Sequence, residues 1–204
     1  MTEVQKAIEA LLISTERVGI NSLIFYMRNN GFFTCPCSTT HHLAIEGGLA
    51  EHSLNVCRLA LMLNDVLNTE IPKEKVVIVS LLHDLGKAGQ YGKPGYVPNM
   101  LKGRGKNTKP YQSPKKPYEV NPDLMPVDHE IRSIHIAAEY IDLEEDEAWA
   151  ILMHNGLYGT YKYQIPNHET PLYLILHMAD MWASRFLEIK KEVENGEEKY
   201  LPDH

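Results

Sequence analysis

The sequence predicts one all-α domain with a single loop-rich interruption. Apolar residues recur at helical spacing along most of the chain, as in Val4, Ala7, Ile8 and Leu11. They make up 44% of the 204 residues, which is typical of a globular chain with one buried core. Glycine and proline are concentrated instead in one central stretch. We therefore expect residues 1–204 to form a single helical domain.

Helical spacing predicts six helices in chain order. Thr2 is a suitable N-cap for the first, and Thr170 followed by Pro171 suits the start of the last. The predicted spans are 3–14, 21–28, 49–67, 128–141, 143–153 and 170–193. Residues 31–40 break the pattern and are predicted to form a loop. Residues 73–85 carry a β-branched apolar run, so periodicity alone leaves both helix and strand open there.

The stretch 86–127 is the least helical part of the chain. It contains six glycines and seven prolines, which predicts a long loop with a short hairpin around residues 118–124. Residues 85–118 include eight lysines or arginines and no aspartate or glutamate. Because of these basic residues, we call residues 88–127 the basic insertion. Loops of this length are usually either functional or disordered. The polar tail at residues 192–204 is expected to fray.

The most informative motif is LLHDLGK at residues 81–87, in which His83 and Asp84 follow an apolar run. Burying an imidazole beside a carboxylate is costly unless something pairs with both groups. A divalent metal does so, because imidazole nitrogen and carboxylate oxygen are good ligands for first-row metals. His52 stands at the start of one predicted helix, and Asp180 lies within another. These four residues are therefore candidate metal ligands.

The order of these residues resembles the HD superfamily of metal-dependent phosphohydrolases. Residues 41–54 read HHLAIEGGLAEHSL, which is similar to the HHxxxxGGLxEH segment of bacterial HD proteins, including the HD domain of one group of 3′-5′ exoribonucleases. The segments MPVDHE at 125–130 and ILMHNG at 151–156 resemble later histidine motifs of small stand-alone HD proteins. The resemblance implies an HD-domain helical bundle, in which residues 73–85 are helical and the long basic loop is inserted after the His-Asp motif.

The same resemblance implies one or two divalent metal ions, with Mn, Fe, Co, Ni, Zn and Mg as candidates. The residues implied as metal ligands are His52, His83, Asp84, His129, His154 and Asp180. Asp84 would bridge two ions, and His129 and His154 would complete the second site, as in HD families with two metals. Some relatives carry two adjacent histidines where this chain has His154 and Asn155, so a site with one ion stays open.

Asp84 and Lys87 are the predicted catalytic residues. Lys87 matches the lysine of HDxGK motifs and would hold a substrate phosphate as a point charge. His42, before the Gly-Gly turn, is expected to contact substrate or to brace a ligand. Lys93 and Arg104 in the basic insertion are also predicted to bind substrate. Tyrosines interleaved with the lysines of the insertion suit stacking on bases, although a solvated loop explains the same composition.

Several other candidate ligands are interpreted as structural. His177 lies one helical turn before Asp180 and is expected to be a hydrogen-bonded core histidine. His135 is expected to face away from the histidine at the start of its helix. Cys35 and Cys37 have C-x-C spacing, and no second cysteine pair accompanies them, which disfavours a zinc site.

The expected function is metal-dependent phosphohydrolysis. The substrate would be a phosphate ester of a nucleotide or short oligonucleotide, cleaved through a metal-activated hydroxide. A 3′-5′ exonuclease activity on RNA or DNA ends stays open, and it would make single-stranded nucleic acid a partner. A non-catalytic nucleotide-binding sensor and an oxygenase with a di-iron site also stay open.

Bulk properties narrow the partners and the compartment. A net charge of −7 disfavours nonspecific coating of nucleic acid. No apolar run approaches the roughly 20 residues that span a bilayer, and the N-terminus lacks a signal-peptide pattern. The three cysteines form a sparse, odd set that suits a reducing environment. We therefore expect a cytoplasmic protein without a membrane partner.

Overall fold

The computed structural model describes residues 1–103 and 108–189, and the backbone of residues 191–194 and 197–200. Its α-helices are α1 (Glu3–Ser14), α2 (Ile20–Asn29), α3 (Gly48–Leu67), α4 (Lys73–Leu82), α5 (His129–Ala138), α6 (Glu145–Met153) and α7 (Pro171–Trp182). The chain is thus mostly α-helical, as the sequence predicts. Within the described residues, no helix combines the length and the apolar character needed to cross a membrane.

Helix α4 is the centre of the bundle. It packs against α3, α6, α7 and α1, and every side chain from Val76 to Leu82 is buried. A helix that is buried all round has no polar face, which explains why its sequence has no clear amphipathic period. The β-branched run is therefore helical, in agreement with the resemblance.

Helix α4 ends at Leu82, three residues before its predicted end. His83 is still helical, but Asp84 leaves the helical conformation (φ −104°, ψ 8°) and starts a 3₁₀ turn over Leu85–Ala88. Gly86 within this turn lies against α5, where a Cβ atom would be only 2.2 Å from the carbonyl oxygen of His129. The glycine therefore allows the start of α5 to approach Asp84 closely.

The described residues of the basic insertion, 88–103 and 108–127, contain three short antiparallel strand pairs. Strands β1 (Gly89–Gln90) and β2 (Lys93–Pro94) pair, as do β3 (Tyr96–Pro98) with β6 (Tyr118–Val120), and β4 (Met100–Leu101) with β5 (Tyr111–Gln112). The predicted local hairpin at 118–124 is wrong, because β6 pairs with the distant β3. Asn121 secures this arrangement by donating from its side chain to the carbonyl of Pro94 and from its backbone to that of Gly95.

The last predicted helix ends earlier than residue 193. Helix α7 continues as one π-helical turn, Ala183–Leu187, after which the chain turns at Glu188. Strand β7 (Lys191–Glu194) then pairs with β8 (Glu197–Tyr200). The helix stops here because the carboxylate of Glu188 bonds to side chains of α3, as described below.

Candidate metal centre

The six predicted metal ligands meet at one place in the bundle, which we call the ligand cluster. It consists of His52 on α3, His83 and Asp84 at the end of α4, His129 at the start of α5, His154 at the end of α6 and Asp180 on α7. Their donor atoms form overlapping groups in which all atoms lie within 4.8 Å of one another. Five of the seven α-helices of the described residues thus contribute a side chain or a terminus.

Asp84 lies between two pairs of imidazoles. Its Oδ2 atom is 3.6 Å from Nε2 of His52 and 3.4 Å from Nε2 of His83. Its Oδ1 atom is 3.1 Å from Nε2 of His129 and 3.5 Å from Nε2 of His154. Each carboxylate oxygen therefore faces its own pair of nitrogen ligands, as a bridging carboxylate requires.

The histidine rings are oriented by acceptors on their outer side. Nδ1 of His83 donates to the carbonyl of Ser80 at 2.8 Å, and Nδ1 of His154 donates to that of Ile151 at 2.7 Å. Because a carbonyl only accepts, Nδ1 carries the proton and Nε2 presents a lone pair to the cluster. This orientation of the Nδ1 hydrogen is typical of metal-binding histidines.

His52 is held between two acidic residues. Its Nε2 is 3.1 Å from Oδ1 of Asp180, and its Nδ1 is 2.9 Å from Oε2 of Glu188. Burial alone would lower the pKa of His52, but the groups around it, Asp180 and Glu188 among them, raise it well above its usual value. The raised pKa favours the imidazolium form, with a proton on both ring nitrogens, when no metal is bound. A metal that binds at Nε2 would displace the proton on that nitrogen.

The cluster leaves buried acceptors without partners. Among the described residues, Oδ1 of Asp84 and Nε2 of His129 are buried and have no hydrogen bond of normal geometry, although they lie 3.1 Å apart. Such groups are costly unless a cation joins them. Imidazole nitrogens and carboxylate oxygens together suit a first-row divalent metal, so the residues present fit one or two such ions.

Both cluster carboxylates are ionised over a wide pH range. Burial would raise the pKa of Asp84, but the charge of Lys87 beside it holds that pKa well below its usual range. Burial would also raise the pKa of Asp180, but the hydrogen bond from His52 lowers it. Negative charge is therefore concentrated where a cation would bind.

Two of the predicted substrate-binding residues lie beside the cluster. Nζ of Lys87 is 2.6 Å from Oδ2 of Asp84, which raises the pKa of Lys87 well above normal despite its burial. His42 contacts the Sγ atom of Cys37 at 3.4 Å. Burial, assisted by the charge of His52, lowers the pKa of His42 to about 4, so this imidazole is neutral at pH 7.

Lys93, a third predicted substrate-binding residue, is not brought to the cluster. Nζ of Lys93 donates to the carbonyl of Asp123 at 2.7 Å, and Lys93 lines a different cavity beside β1 and β2. The prediction for Lys93 is not supported by this geometry, because the β1–β2 turn directs its side chain away. Arg104 lies outside the described residues.

The two histidines that the sequence analysis interprets as structural differ in their surroundings. His135 is exposed and pairs with Glu139, one turn away on α5. His177 donates from Nδ1 to the carbonyl of His154 at 2.7 Å and stacks on Tyr173. His177 therefore supports the end of α6, where a cluster ligand is located.

Glu188 is a site residue that sequence reasoning missed. It bonds to His52 and also accepts from Nδ2 of Asn55 at 3.0 Å. Glu188 is eight residues after Asp180, and the π-helical turn between them adds one residue to the helix. Their separation then corresponds to two full turns, which places both carboxylates toward α3.

A cavity of about 460 Å³ adjoins the ligand cluster. It is lined by His41, His42, Lys87, His154, Asn155, Tyr158, His177, Asp180, Met181, Ser184 and Arg185. Two residues of the ligand cluster, His154 and Asp180, and the partly buried Lys87 thus face the same space. Its volume lies within the range of about 300–1,000 Å³ that is usual for small-molecule sites.

Comparisons with known proteins agree with this geometry. Over 60 residues the chain is 37% identical to the dihydroneopterin 2′,3′-cyclic phosphate phosphodiesterase of Methanocaldococcus jannaschii, a match that covers 28% of this chain and 24% of that protein. The chain thus matches about a quarter of the length of this relative. No solved structure matches significantly. The HD domain family model matches residues 49–188, a span that contains all six cluster ligands. The chain therefore belongs to the HD-domain family, whose members are metal-dependent hydrolases.

Proposed function

We propose that this protein is a metal-dependent phosphohydrolase that cleaves a phosphate ester of a nucleotide or short oligonucleotide. The observation that carries this proposal is the position of Asp84 between two pairs of imidazoles, beside a cavity that Lys87 also lines. A partly buried lysine, one carboxylate and several imidazoles line this cavity, and they suit an anionic substrate that binds beside a metal cation.

The proposed ligands of a first ion are His52, His83, Asp84 and Asp180, and those of a second are Asp84, His129 and His154. A divalent metal bound there would supply a hydroxide nucleophile at neutral pH and would neutralise the phosphoryl oxygens. Glu188 and the carbonyls of Ser80 and Ile151 fix the orientation of the imidazoles. These contacts keep the donor atoms in place before any ion arrives.

Lys87 is proposed to bind the substrate phosphate. In the structure its ammonium group is paired with Oδ2 of Asp84. A metal ion on Asp84 would compete for that carboxylate, which would leave the charge of Lys87 available to a phosphate oxygen. His42 lines the same cavity and, as a neutral imidazole, can donate a hydrogen bond to substrate.

The phosphodiesterase relative supports phosphodiesters as the bond type to test first. The name of that relative gives dihydroneopterin 2′,3′-cyclic phosphate as its substrate. We therefore propose that nucleoside 2′,3′-cyclic phosphates belong in the substrate panel, together with nucleoside monophosphates and short single-stranded oligonucleotides.

The experiment compares hydrolysis by wild-type protein, Asp84→Asn and Asp65→Asn after loading with Mn²⁺, Co²⁺, Ni²⁺, Zn²⁺, Fe²⁺ or Mg²⁺. Asp65 is an exposed residue of α3 that pairs with Lys73, so it is a matched control for the loss of a carboxylate. We expect activity on at least one substrate in wild type and Asp65→Asn, and almost none in Asp84→Asn. Failure of wild type across the panel, or equal rates in all three proteins, would contradict the proposal.

A single-stranded nucleic acid is the second candidate substrate, and a specific observation favours it. A second cavity of about 430 Å³ shares His41 and His42 with the first and is lined by Lys115 of the basic insertion. A single-stranded nucleic acid whose end lies at the ligand cluster could continue into this second cavity. Binding that weakens steeply with salt, together with release of nucleotides from one end, would support this candidate. Nucleotide binding without any turnover would favour a sensor instead.

A further inference from the structure

Tyr158 is an exposed aromatic residue at the cavity beside the ligand cluster. It belongs to the 3₁₀ turn Gly156–Tyr158, only four residues after His154. The residue is 74% exposed and yet lines the same cavity as Lys87 and Asp180. An aromatic ring that faces both solvent and a polar site is available to a ligand, in contrast to a core tyrosine.

The backbone below this ring is fixed. Gly156 has φ +54°, and a Cβ atom there would lie 2.3 Å from Cε1 of His177. The turn therefore packs directly on the His177 ring, which is itself bonded to the carbonyl of His154. The backbone N–H of Tyr158 also donates to the carbonyl of Asn155 at 3.0 Å. Tyr158 thus stands on a short, well-supported turn beside a cluster ligand.

Arg185 lies against the ring of Tyr158 and lines the same cavity. Its guanidinium carbon lies 5.5 Å from the centroid of the Tyr158 ring, within the range of a cation–π contact. Arg185 is directed to the cavity from the π-helical turn after α7. One face of the tyrosine ring is therefore covered by a planar cation, while the high exposure of the residue leaves other ring surface open.

We propose that Tyr158 and Arg185 form a stacking subsite for the planar heteroaromatic base of the substrate, whose phosphate lies at Lys87. The inference rests on the proposed function and names the second substrate group that the cavity recognises. Bases stack on tyrosine and on arginine planes, and Arg185 also offers hydrogen-bond donors to acceptors on the edge of a base. The phosphate and base positions are then two ends of one cavity.

The same chain supplies a matched control for this subsite. Tyr163 is 86% exposed, and the ammonium group of Lys162 lies 5.3 Å from its ring centroid. Tyr163 therefore shares the exposure and the cation–π contact of Tyr158, but it does not line the cavity. If a tyrosine contributes to nucleotide affinity because it lines the cavity, substitution of Tyr158 will weaken binding and substitution of Tyr163 will not.

The test is calorimetric binding to metal-loaded protein, with the four nucleoside 5′-monophosphates and ribose 5-phosphate as probes. Wild type is expected to bind at least one nucleotide more tightly than ribose 5-phosphate. Tyr158→Ala is expected to weaken that nucleotide about 10- to 100-fold and leave ribose 5-phosphate unchanged. Tyr158→Phe and Tyr163→Ala should bind like wild type. Metal content and circular dichroism check that the variants fold.

Three results would overturn the subsite: no preference of wild type for any nucleotide over ribose 5-phosphate, equal weakening of both ligands in Tyr158→Ala, or equal losses in Tyr158→Ala and Tyr163→Ala. Hydrolysis of the substrate panel is a separate measurement. Loss of base preference in Tyr158→Ala, in a protein that hydrolyses nothing, would support the subsite and reject the proposed function. Hydrolysis by a protein whose nucleotide binding does not depend on Tyr158 would support the proposed function and reject the subsite.

Discussion

Two regions of the protein bury charge in different ways. In the helical frame, buried acids have basic partners at short range: the guanidinium of Arg17 makes two hydrogen bonds to the carboxylate of Glu147, at 2.7 and 3.0 Å, and that of Arg28 makes two to the carboxylate of Glu9. In the ligand cluster, by contrast, only part of the charge is paired: Oδ2 of Asp84 accepts from Lys87, but Oδ1 faces imidazole nitrogens and is among the buried atoms without a hydrogen bond.

The difference shows which region is complete without a ligand. The ion pairs of the frame satisfy their own hydrogen-bonding groups; one connects α1 to α2, and the other connects the α1–α2 loop to α6. The cluster concentrates acceptors whose partner is not part of the chain, which is unfavourable for stability but suitable for binding a cation. Mutations in the frame should therefore change folding, and mutations in the cluster should change metal binding and activity.

The largest effect is expected from Asp84→Asn. This change removes the carboxylate that both imidazole pairs face, so metal content should fall to nearly zero and hydrolysis should fall about 1,000-fold, equivalent to about 4 kcal/mol. The metal-free protein should also lose some stability, because Lys87 loses the carboxylate with which it pairs. Elemental analysis, substrate kinetics and urea unfolding measure the three quantities. Strong destabilisation with unchanged metal content would assign Asp84 to the frame.

Glu147→Gln should produce the converse result. Glu147 is fully buried, and its loss of charge would leave Arg17 without its bidentate partner. We expect the free energy of unfolding to fall by about 3 kcal/mol, as is usual when one partner of a buried ion pair is removed. Metal content at a temperature where the variant is folded should equal that of wild type. A change in metal content under those conditions would break the distinction between the two regions.

Glu188→Gln tests the support of the cluster. The carboxylate orients His52 and has no direct role as a predicted ligand, so its loss should weaken metal binding about 10-fold, up to about 100-fold. The matched control is Glu51→Gln, because Glu51 precedes His52 on α3 but is exposed. Competition with a fluorescent chelator measures both affinities. Equal affinities of the two variants would show that Glu188 has only a structural role.

The smallest effect is a pH dependence in the frame. The hydrogen bond from Arg28 lowers the pKa of Glu9 below 4.5, despite the opposing effect of burial. The contribution of this pair to stability is therefore complete above about pH 4.5 and is lost as the pH falls through the folded-state pKa. In urea unfolding, wild type should be more stable than Glu9→Gln at pH 7, and the difference should shrink below pH 4.5. A difference that grows with acidity would contradict this assignment.

The resemblance of short motifs to HD proteins was sufficient to name six residues that the structure brings together. His83 and Asp84 adjoin in sequence, and each other ligand lies in its own recognisable segment, so the six residues could be named without knowing how the helices pack. Helix α1 was predicted with its bounds and its Thr2 cap because both signals are local. The family match confirms the HD resemblance that ordered these motifs.

The features that were missed depend on distant contacts. Strand β6 pairs with β3 across most of the basic insertion, and no local signal near residues 118–120 indicates that partner. Glu188 reaches His52 only because a π-helical turn alters the phase of the helix, and Tyr158 reaches the cavity on a 3₁₀ turn. Periodicity of α-helices predicts neither turn, since both depart from the 3.6-residue repeat.

The most direct test of the central claim is the number of metal ions bound per chain, measured by elemental analysis in wild type and in His129→Ala after loading. The two faces of Asp84 predict about two ions in wild type and about one in the variant, because His129 lies beside Oδ1 alone. A wild-type protein that binds no metal even after loading would contradict the account, since the unpartnered groups of the cluster would then have no cation to join them.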